Sequence, residues 1–166
     1  MTNTSHNPNQ DGRTLSESWD GSGVSILIVD DHEQNLELLE AYLEDLGCEL
    51  RPARDGMEAL EAVAAKAPDI ILLDVMMPRM SGFQVCDKLK KDPATRDIPI
   101  VMVTALNEVS DVERAIECGA DDFLSKPVNK LELLTRVKSL VRISKMQSEL
   151  QKTLAQLRAF RDQSGS

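Results

Sequence analysis

Short apolar runs alternate along the chain with segments in which apolar residues recur every three or four positions. The clearest run is Ile70 to Leu73, which follows Pro68 and stops at Asp74. An uninterrupted apolar run of this length is typical of a strand buried on both faces of a parallel sheet. The pattern therefore predicts a central strand that ends in a single carboxylate.

Four further runs predict the other strands of the sheet. They are Val24 to Val29, Cys48 to Ala53, Ile98 to Val103 and Asp122 to Leu124. The second of these runs contains Pro52, which has no amide hydrogen to donate and is tolerated at the edge of a sheet. We therefore expect that strand to be an edge strand.

Between the strands, a period of 3.6 residues predicts four amphipathic helices. Their apolar positions are, in chain order, Leu36, Leu39, Leu43 and Leu46; Met57, Leu60, Val63 and Ala64; Phe83, Cys86 and Leu89; and Val109, Val112 and Ile116. Gly47 and Gly119 follow the first and fourth helices, where glycine typically ends a helix. Strands that alternate with helices predict an α/β fold with a five-stranded, parallel, doubly wound sheet.

A fifth helix is predicted to extend beyond the length that packing on the sheet requires. The apolar residues from Leu131 to Val141 are dense enough for that packing, and no Pro or Gly follows until Gly165. Beyond Val141, apolar residues follow in steps of three and four: Ile143, Met146, Leu150, Leu157 and Phe160, with Thr153 as an interruption. This heptad spacing predicts an extended C-terminal helix that forms a short two-stranded coiled coil and joins two copies as a homodimer. The alternative is a helix that packs back on its own domain or frays, since fewer than three heptads are marginal.

Composition divides the chain into three parts. Residues 1–23 are rich in Asn, Ser, Gly, Asp and Thr, which predicts a disordered N-terminal tail. In that tail Trp19 is either a docking residue for a partner or, more simply, a solvated or loosely packed side chain. Residues 24–144 are predicted to form the single domain, and residues 145–163 its helical extension.

Charge and cysteine content narrow the function classes. The 166 residues carry a formal net charge of -9, which argues against direct nucleic-acid binding because a phosphate backbone demands a basic face. Cys48, Cys86 and Cys118 lie in apolar patterns without metal-type spacing, as is typical of buried thiols in a reducing compartment. No leader-like or membrane-spanning run is apparent, so we expect a cytoplasmic protein without membrane insertion.

Polar residues stand at the ends of four predicted strands: Asp30 and Asp31, Asp74, Thr104, and Lys126. The carboxyl ends of parallel strands share one edge of the sheet, so we expect these side chains to converge. Three neighbouring carboxylates repel one another unless a cation offsets their charge, and Mg²⁺ suits such oxygen ligands. Lys126 and Thr104 add a positive charge and a hydrogen-bond donor. The pattern therefore predicts a carboxylate that reacts with a phosphoryl group.

Four segments together resemble the receiver domain of two-component response regulators. They are Val29-Asp30-Asp31, Leu72-Leu73-Asp74-Val75-Met76-Met77-Pro78, Val103-Thr104-Ala105 and Leu124-Ser125-Lys126-Pro127. The resemblance covers about residues 24–144 and implies a flavodoxin-like sheet with strand order 2-1-3-4-5. The segments Asp74 to Pro78 and Lys91 to Pro99 are similar to receivers attached to cyclic-dinucleotide synthases.

The resemblance implies a phosphoacceptor and a metal site. Asp74 would accept the phosphoryl group from a histidine kinase or a histidine phosphotransfer protein. Asp31 and Asp74 would coordinate Mg²⁺, Asp30 would assist largely through water, and Met76 would supply its backbone carbonyl.

The resemblance also implies which residues bind the phosphoryl group and respond to it. Thr104, the Ala105 amide and Lys126 would hold the phosphoryl oxygens, and the Lys126-Pro127 peptide bond would be cis. Phe123 stands at the aromatic switch position of the family, with Thr104 as its switch partner. The alternatives are that Phe123 is plain core, that Lys126 is solvated, and that Thr104 caps the fourth helix.

Three functions are open from the sequence. The first is a phospho-switched signalling module, not an enzyme, that acts through dimerisation or partner binding. The resemblance implies that Met76 and Leu106 border the path of the attacking water, so we expect slow self-dephosphorylation. The second is the receiver part of a longer regulator with an output enzyme domain such as a diguanylate cyclase. The third is a Mg²⁺-dependent phosphatase with an Asp nucleophile, although such enzymes generally place a second Asp where this chain has Met76.

Overall fold

The computed structural model describes residues 19–105 and 109–165. Its strands are β1 (Ser25–Val29), β2 (Glu49–Ala53), β3 (Ile70–Asp74), β4 (Ile100–Thr104) and β5 (Asp122–Ser125). Its α-helices are α1 (Glu33–Leu43), α2 (Gly56–Ala65), α3 (Gly82–Lys91), α4 (Val109–Glu117) and α5 (Lys130–Ser164). Each strand except the last is followed by a helix that leads to the next strand, as the sequence pattern predicted.

The five strands form one parallel sheet with the order β2-β1-β3-β4-β5. This is the doubly wound topology that the sequence pattern predicted, with the strand order that the resemblance implied. β2 lies at an edge, where Pro52 stands opposite Ile28 of β1. The prediction of an edge strand around Pro52 is therefore confirmed.

Alternate residues of the central strands face two separate hydrophobic clusters, because successive side chains of a strand point to opposite faces of the sheet. Ile70 and Leu72 pack with α1 and α5, whereas Ile71 and Leu73 pack with α2, α3 and the end of α4. All four side chains are at most 1% exposed. Helices therefore cover both faces of the sheet, which leaves its edges and strand ends as places for polar chemistry.

The buried face of α4 differs from the prediction. The sequence placed Val112 and Ile116 on the buried side, but Ile116 is 66% exposed, and Ala115 and Cys118 are buried instead. These two residues are small, so α4 lies close to α3, where the Cys86 thiol donates to the carbonyl of Cys118 over 3.4 Å. Close approach of the helix backbone, rather than burial of the largest side chains, decides which face of α4 turns inward.

The chain before β1 is packed from Trp19 onward. Trp19 Nε1 donates to the Leu46 carbonyl over 3.1 Å, and the indole packs against the cluster that contains α1 and α5. A Cβ on Gly21 would lie 1.9 Å from the same carbonyl oxygen, so this segment lies directly against Leu46. The prediction of a solvated or loosely packed Trp19 is therefore wrong. Residues 1–18 of the predicted tail lie outside the described residues.

α5 is a single helix of 35 residues whose first part belongs to the domain and whose second part leaves it. Leu133, Val137 and Val141 are fully buried against the sheet, whereas every residue from 145 to 165 is exposed. The alternative in which this helix packs back on its own domain is therefore wrong. In the parts of the chain that the structure describes, no helix combines the length and the apolar composition that crossing a membrane requires.

Candidate functional site

The polar residues predicted to converge lie at the carboxyl edge of the sheet. Asp30 and Asp31 directly follow β1, and Asp74 and Thr104 are the last residues of β3 and β4. Asp30 is 1% exposed, Asp74 is 4% exposed and Thr104 is 9% exposed. Buried carboxylates are costly unless they are paired, so their position depends on the cation between them.

That cation is Lys126, whose ammonium lies between two of the carboxylates. Its Nζ donates to Oδ2 of Asp30 over 3.1 Å and to Oδ1 of Asp74 over 3.3 Å. The backbone holds the lysine in place, since the Lys126 amide donates to the Thr104 carbonyl over 2.8 Å. The Lys126-Pro127 bond is cis, as the resemblance implied. The alternative of a solvated Lys126 is therefore wrong.

The electrostatics of the site favour an added positive charge. Burial raises the pKa of Asp74, the negative charge of Asp30 raises it further, and Lys126 offsets this only in part. For Lys126 burial lowers the pKa, but the hydrogen bonds and charges of Asp30 and Asp74 outweigh it, so the net pKa is raised. The lysine therefore remains protonated. Asp30, Asp31 and Asp74 are three acidic residues against this one cation.

Asp31 is the carboxylate best suited to receive a metal ion. Its Oδ1 is buried and accepts no hydrogen bond from the residues that the structure describes. Asp30, by contrast, accepts from Lys126 and from the His32 amide, the latter over 2.9 Å. A hard divalent cation prefers oxygen ligands of this kind, so the residues present fit Mg²⁺.

The loop after β3 passes very close to the backbone of Asp74 at Gly82. The Gly82 amide donates to the Val75 carbonyl over 2.9 Å, and a Cβ at this position would lie 2.2 Å from the carbonyl oxygen of Asp74. Any side chain here would displace the loop that holds Asp74. Gly82 was assigned no role from the sequence; the requirement for glycine at this position is visible only from the packing.

The remaining predicted residues surround this centre. Met76 follows Asp74 by two positions and its side chain is 65% exposed, and Ala105 directly follows Thr104 and is also exposed. Phe123 in β5 is 39% exposed, so the alternative in which it is plain core is wrong. Thr104 is the last residue of β4 rather than a cap at the start of α4. Leu106 lies outside the described residues.

Sequence reasoning missed His32, which lies at the same edge. Its Nδ1 is 3.0 Å from Oδ1 of Asp31, and atoms of Asp30, Asp31 and His32 that are able to bind a metal lie within 4.8 Å of one another. The available signal was its place directly after the two aspartates. Attention to carboxylates alone left this nitrogen out of the predicted site.

Comparison with known sequences agrees with this geometry. Residues 26–138 match the family described as the response regulator receiver domain. The chain is 52% identical over 125 residues to Response regulator PleD of Caulobacter vibrioides (strain NA1000 / CB15N), an alignment that covers 75% of this chain and 28% of PleD. It is 40% identical over 117 residues to the DNA-binding dual master transcriptional regulator RpaA of Synechocystis sp., covering 70% of this chain and 48% of RpaA. The chain therefore spans less than half the length of either relative.

A solved structure gives the same result at the level of the fold. The signal receiver domain of a signal transduction histidine kinase from Syntrophus aciditrophicus superposes with a TM-score of 0.68 at 40% sequence identity. The match covers 72% of this chain and 90% of that domain.

Proposed function

Because the chain belongs to the response regulator receiver domain family, we propose that Asp74 is the residue that accepts its phosphoryl group. Receiver domains are signalling modules of two-component systems, generally not enzymes, and they interact with histidine kinases or phosphotransfer proteins. The observation that carries the proposal is the contact of Lys126 with the buried carboxylates of Asp30 and Asp74. An ammonium beside a carboxylate nucleophile supplies the positive charge that an incoming phosphoryl group needs.

In the proposed reaction a carboxylate oxygen of Asp74 forms a bond to phosphorus while the P–N bond of the donor phosphohistidine breaks. The bonding electron pair leaves with the imidazole nitrogen, which takes up a proton from solvent. Lys126 stabilises the charge on the phosphoryl oxygens, and Thr104 with the Ala105 amide donates hydrogen bonds to them. Thr104 and Phe123 then carry the change to the surface, which their positions on adjacent strands β4 and β5 support.

Asp31, Asp74 and the backbone carbonyl of Met76 would hold Mg²⁺, with Asp30 assisting largely through water. When bound, the ion supplies positive charge to the transferring phosphoryl group and offsets repulsion among the carboxylates. The buried Oδ1 of Asp31, which accepts no hydrogen bond from the described residues, supports this assignment. Asp30 already accepts a hydrogen bond from Lys126, which supports an indirect role for Asp30 in holding the ion.

A small phosphodonor such as acetyl phosphate tests the acceptor. Purified protein incubated with this donor and Mg²⁺ should gain the mass of one phosphoryl group, and Asp74→Asn should gain none. Asp45→Asn is the matched control, since Asp45 is an exposed carboxylate that pairs with Lys130 and not with Lys126. Retained labelling of Asp74→Asn at the level of this control would exclude Asp74 as the acceptor.

We also propose that the exposed part of α5 joins two copies of the chain as a parallel coiled coil. Five of its exposed apolar side chains lie on one side of the helix: Ile143, Met146, Leu150, Leu154 and Leu157. At 100° per residue they fall within an arc of about 80°. The residues beside this stripe include Gln147 and Gln151, so two copies can meet without opposing like charges at these positions. Each buried side chain offers roughly 1.5 to 3 kcal/mol before ordering costs.

The proposed stripe differs from the predicted heptad seam. In it Leu154 takes the place of Thr153, so the steps are three, four, four and three, and Ile143 and Leu154 are eleven residues apart. An eleven-residue repeat gives a straighter or slightly right-handed supercoil instead of a left-handed one. Sedimentation of the full chain and of a chain ending at Ser144 tests the dimer. A full chain that remains monomeric at all concentrations, with or without phosphodonor, would overturn it.

The output of the domain remains a prediction. The resemblance to receivers of cyclic-dinucleotide synthases favours a longer regulator with a domain such as a diguanylate cyclase. PleD, a relative named a response regulator, extends well beyond the 28% of its length that aligns. RpaA is named as DNA-binding, but its aligned part is 48% of that protein, and the acidity of this chain still argues against direct nucleic-acid contact.

The phosphatase alternative is disfavoured because Met76 has no proton to donate. The cytoplasmic location also stays a prediction.

A further inference from the structure

His32 lies beside the proposed metal site but has no assigned role in it. It follows Asp31 and stands at the N-terminus of α1, where its side chain makes no capping hydrogen bond. Its Nδ1 lies 3.0 Å from Oδ1 of Asp31 and 3.5 Å from Oδ1 of Asp30, and the ring is 68% exposed. The imidazole is therefore held near the carboxylates without any stabilising role in the helix.

A hydrogen bond between the ring and Asp31 does not account for this proximity. Oδ1 of Asp31 is buried and accepts no hydrogen bond among the described residues, although Nδ1 is only 3.0 Å away. Oδ1 of Asp30 is already occupied by the backbone amide of His32. A nitrogen and an oxygen thus lie 3.0 Å apart in an arrangement that does not have the geometry of a hydrogen bond.

The separation of these two atoms fits two neighbouring ligands of one ion. In octahedral coordination with bonds of about 2.1 Å, adjacent ligand atoms stand about 3.0 Å apart. Imidazole nitrogen is a good ligand for first-row transition ions, whereas Mg²⁺ prefers oxygen. An imidazole ligand beside the carboxylates should therefore favour first-row transition ions over Mg²⁺.

We propose that Nδ1 of His32 is an additional ligand at this site, so that the domain binds a divalent first-row transition ion more tightly than carboxylates alone allow. The proposal rests on the proposed function in one respect, the assignment of Asp31 as a metal ligand. The plain alternative is that His32 forms only an ion pair with Asp30 and Asp31 and leaves metal selectivity unchanged.

Calorimetric titration of the full chain with Co²⁺ and, separately, with Mg²⁺ tests the proposal. His32→Ala should weaken Co²⁺ binding at least about tenfold and change Mg²⁺ binding by less than about twofold. His6→Ala is the matched control, since His6 is the other histidine of the chain, and it should change neither constant. As a second readout, Co²⁺ should shift the ring proton resonances of His32 in the NMR spectrum, in a manner absent from Asp31→Asn.

The outcomes separate this proposal from the proposed function. If Asp31→Asn weakens both metals while His32→Ala weakens neither, or weakens both equally, the metal site stands and the ligand role of His32 is wrong. If the parent protein binds neither ion, both the site and the role of His32 are wrong. Selective loss of Co²⁺ binding in His32→Ala, with unshifted Mg²⁺ binding, supports the ligand.

Discussion

Lys126 and Asp30 are 96 residues apart in the chain, and the lysine ammonium donates to the buried carboxylate over 3.1 Å. The same ammonium reaches Asp74 over 3.3 Å, so one cation stabilises two acids that the sheet brings together. Removal of this cation leaves two buried negative charges without their partner. Lys126 therefore contributes both to the stability of the fold and to the charge balance of the site.

Lys126→Met should lower the free energy of unfolding by about 2 kcal/mol in EDTA, a value reduced from that of a fully buried pair because the lysine is partly exposed. Addition of Asp74→Asn should recover part of the loss, since one of the unpaired charges is then gone. Urea unfolding of the single and double variants measures both effects. Lys130→Met, which removes a surface pair with Asp45, is the control and should change stability by at most about 0.5 kcal/mol. Equal losses at Lys126 and Lys130 would contradict the coupling.

Gly82→Ala should destabilise the protein by about 2 kcal/mol and slow phosphorylation of Asp74. The added Cβ would lie 2.2 Å from the Asp74 carbonyl oxygen, so the loop must shift. Thermal unfolding and the rate of mass gain with acetyl phosphate measure the two effects. Gly165→Ala is the control, because its Cβ would meet the Arg161 carbonyl at an ordinary 3.4 Å. A Gly82→Ala protein that matches this control in both assays would show that the loop accommodates a side chain.

Met76→Asn combined with Leu106→Glu should speed self-dephosphorylation at least about tenfold, which corresponds to roughly 1.4 kcal/mol of barrier. Neither parent side chain orients a water by hydrogen bonding, so the phosphorylated state should be long-lived. Loss of label in the presence of Mg²⁺ is the measurement. Met57→Asn is the control, since Met57 is another exposed methionine, at the start of α2. Decay of the parent within seconds would contradict the expectation.

Leu154→Ser should weaken the proposed dimer at least about tenfold, because it removes one buried side chain worth about 1.5 to 3 kcal/mol from each copy. Ala159→Ser, on the opposite side of the helix, should have little effect. Sedimentation equilibrium over a range of concentrations gives both dissociation constants. Thr153→Leu distinguishes the two registers: a large gain in affinity there, with a silent Leu154→Ser, would restore the heptad seam and refute the eleven-residue repeat.

The sequence was sufficient for those features that depend on short-range patterns. The apolar run from Ile70 to Leu73 indicated the central strand, and the polar residues at strand ends indicated a common edge, because parallel strands align their carboxyl ends. The partners of Lys126 followed from the topology once the strands were placed. These predictions needed no knowledge of how individual helices are rotated.

Features that depend on close packing could not be predicted from short-range sequence patterns. Ile116 is exposed because the small residues Ala115 and Cys118 let α4 approach α3, a choice that helical periodicity does not distinguish. The Trp19 indole donates to the carbonyl of Leu46, 27 positions away in the chain. The polar residues around Trp19 in the sequence do not indicate this contact. His32 was overlooked because only carboxylates were considered as ligands, although it directly follows Asp31; the 3.0 Å separation of its Nδ1 from the Asp31 carboxylate is visible only in the structure.

α5 continues without interruption from Val141, which is buried against the sheet, to the exposed stripe that starts at Ile143. A helix advances 100° in azimuth with each residue, so the number of residues between these two points fixes the phase of the stripe relative to the domain. One inserted residue would turn the stripe by that angle and, in the proposed dimer, bring different surfaces of the two receivers opposite each other. The number of residues in this short junction would then set the mutual orientation of the two domains of that dimer.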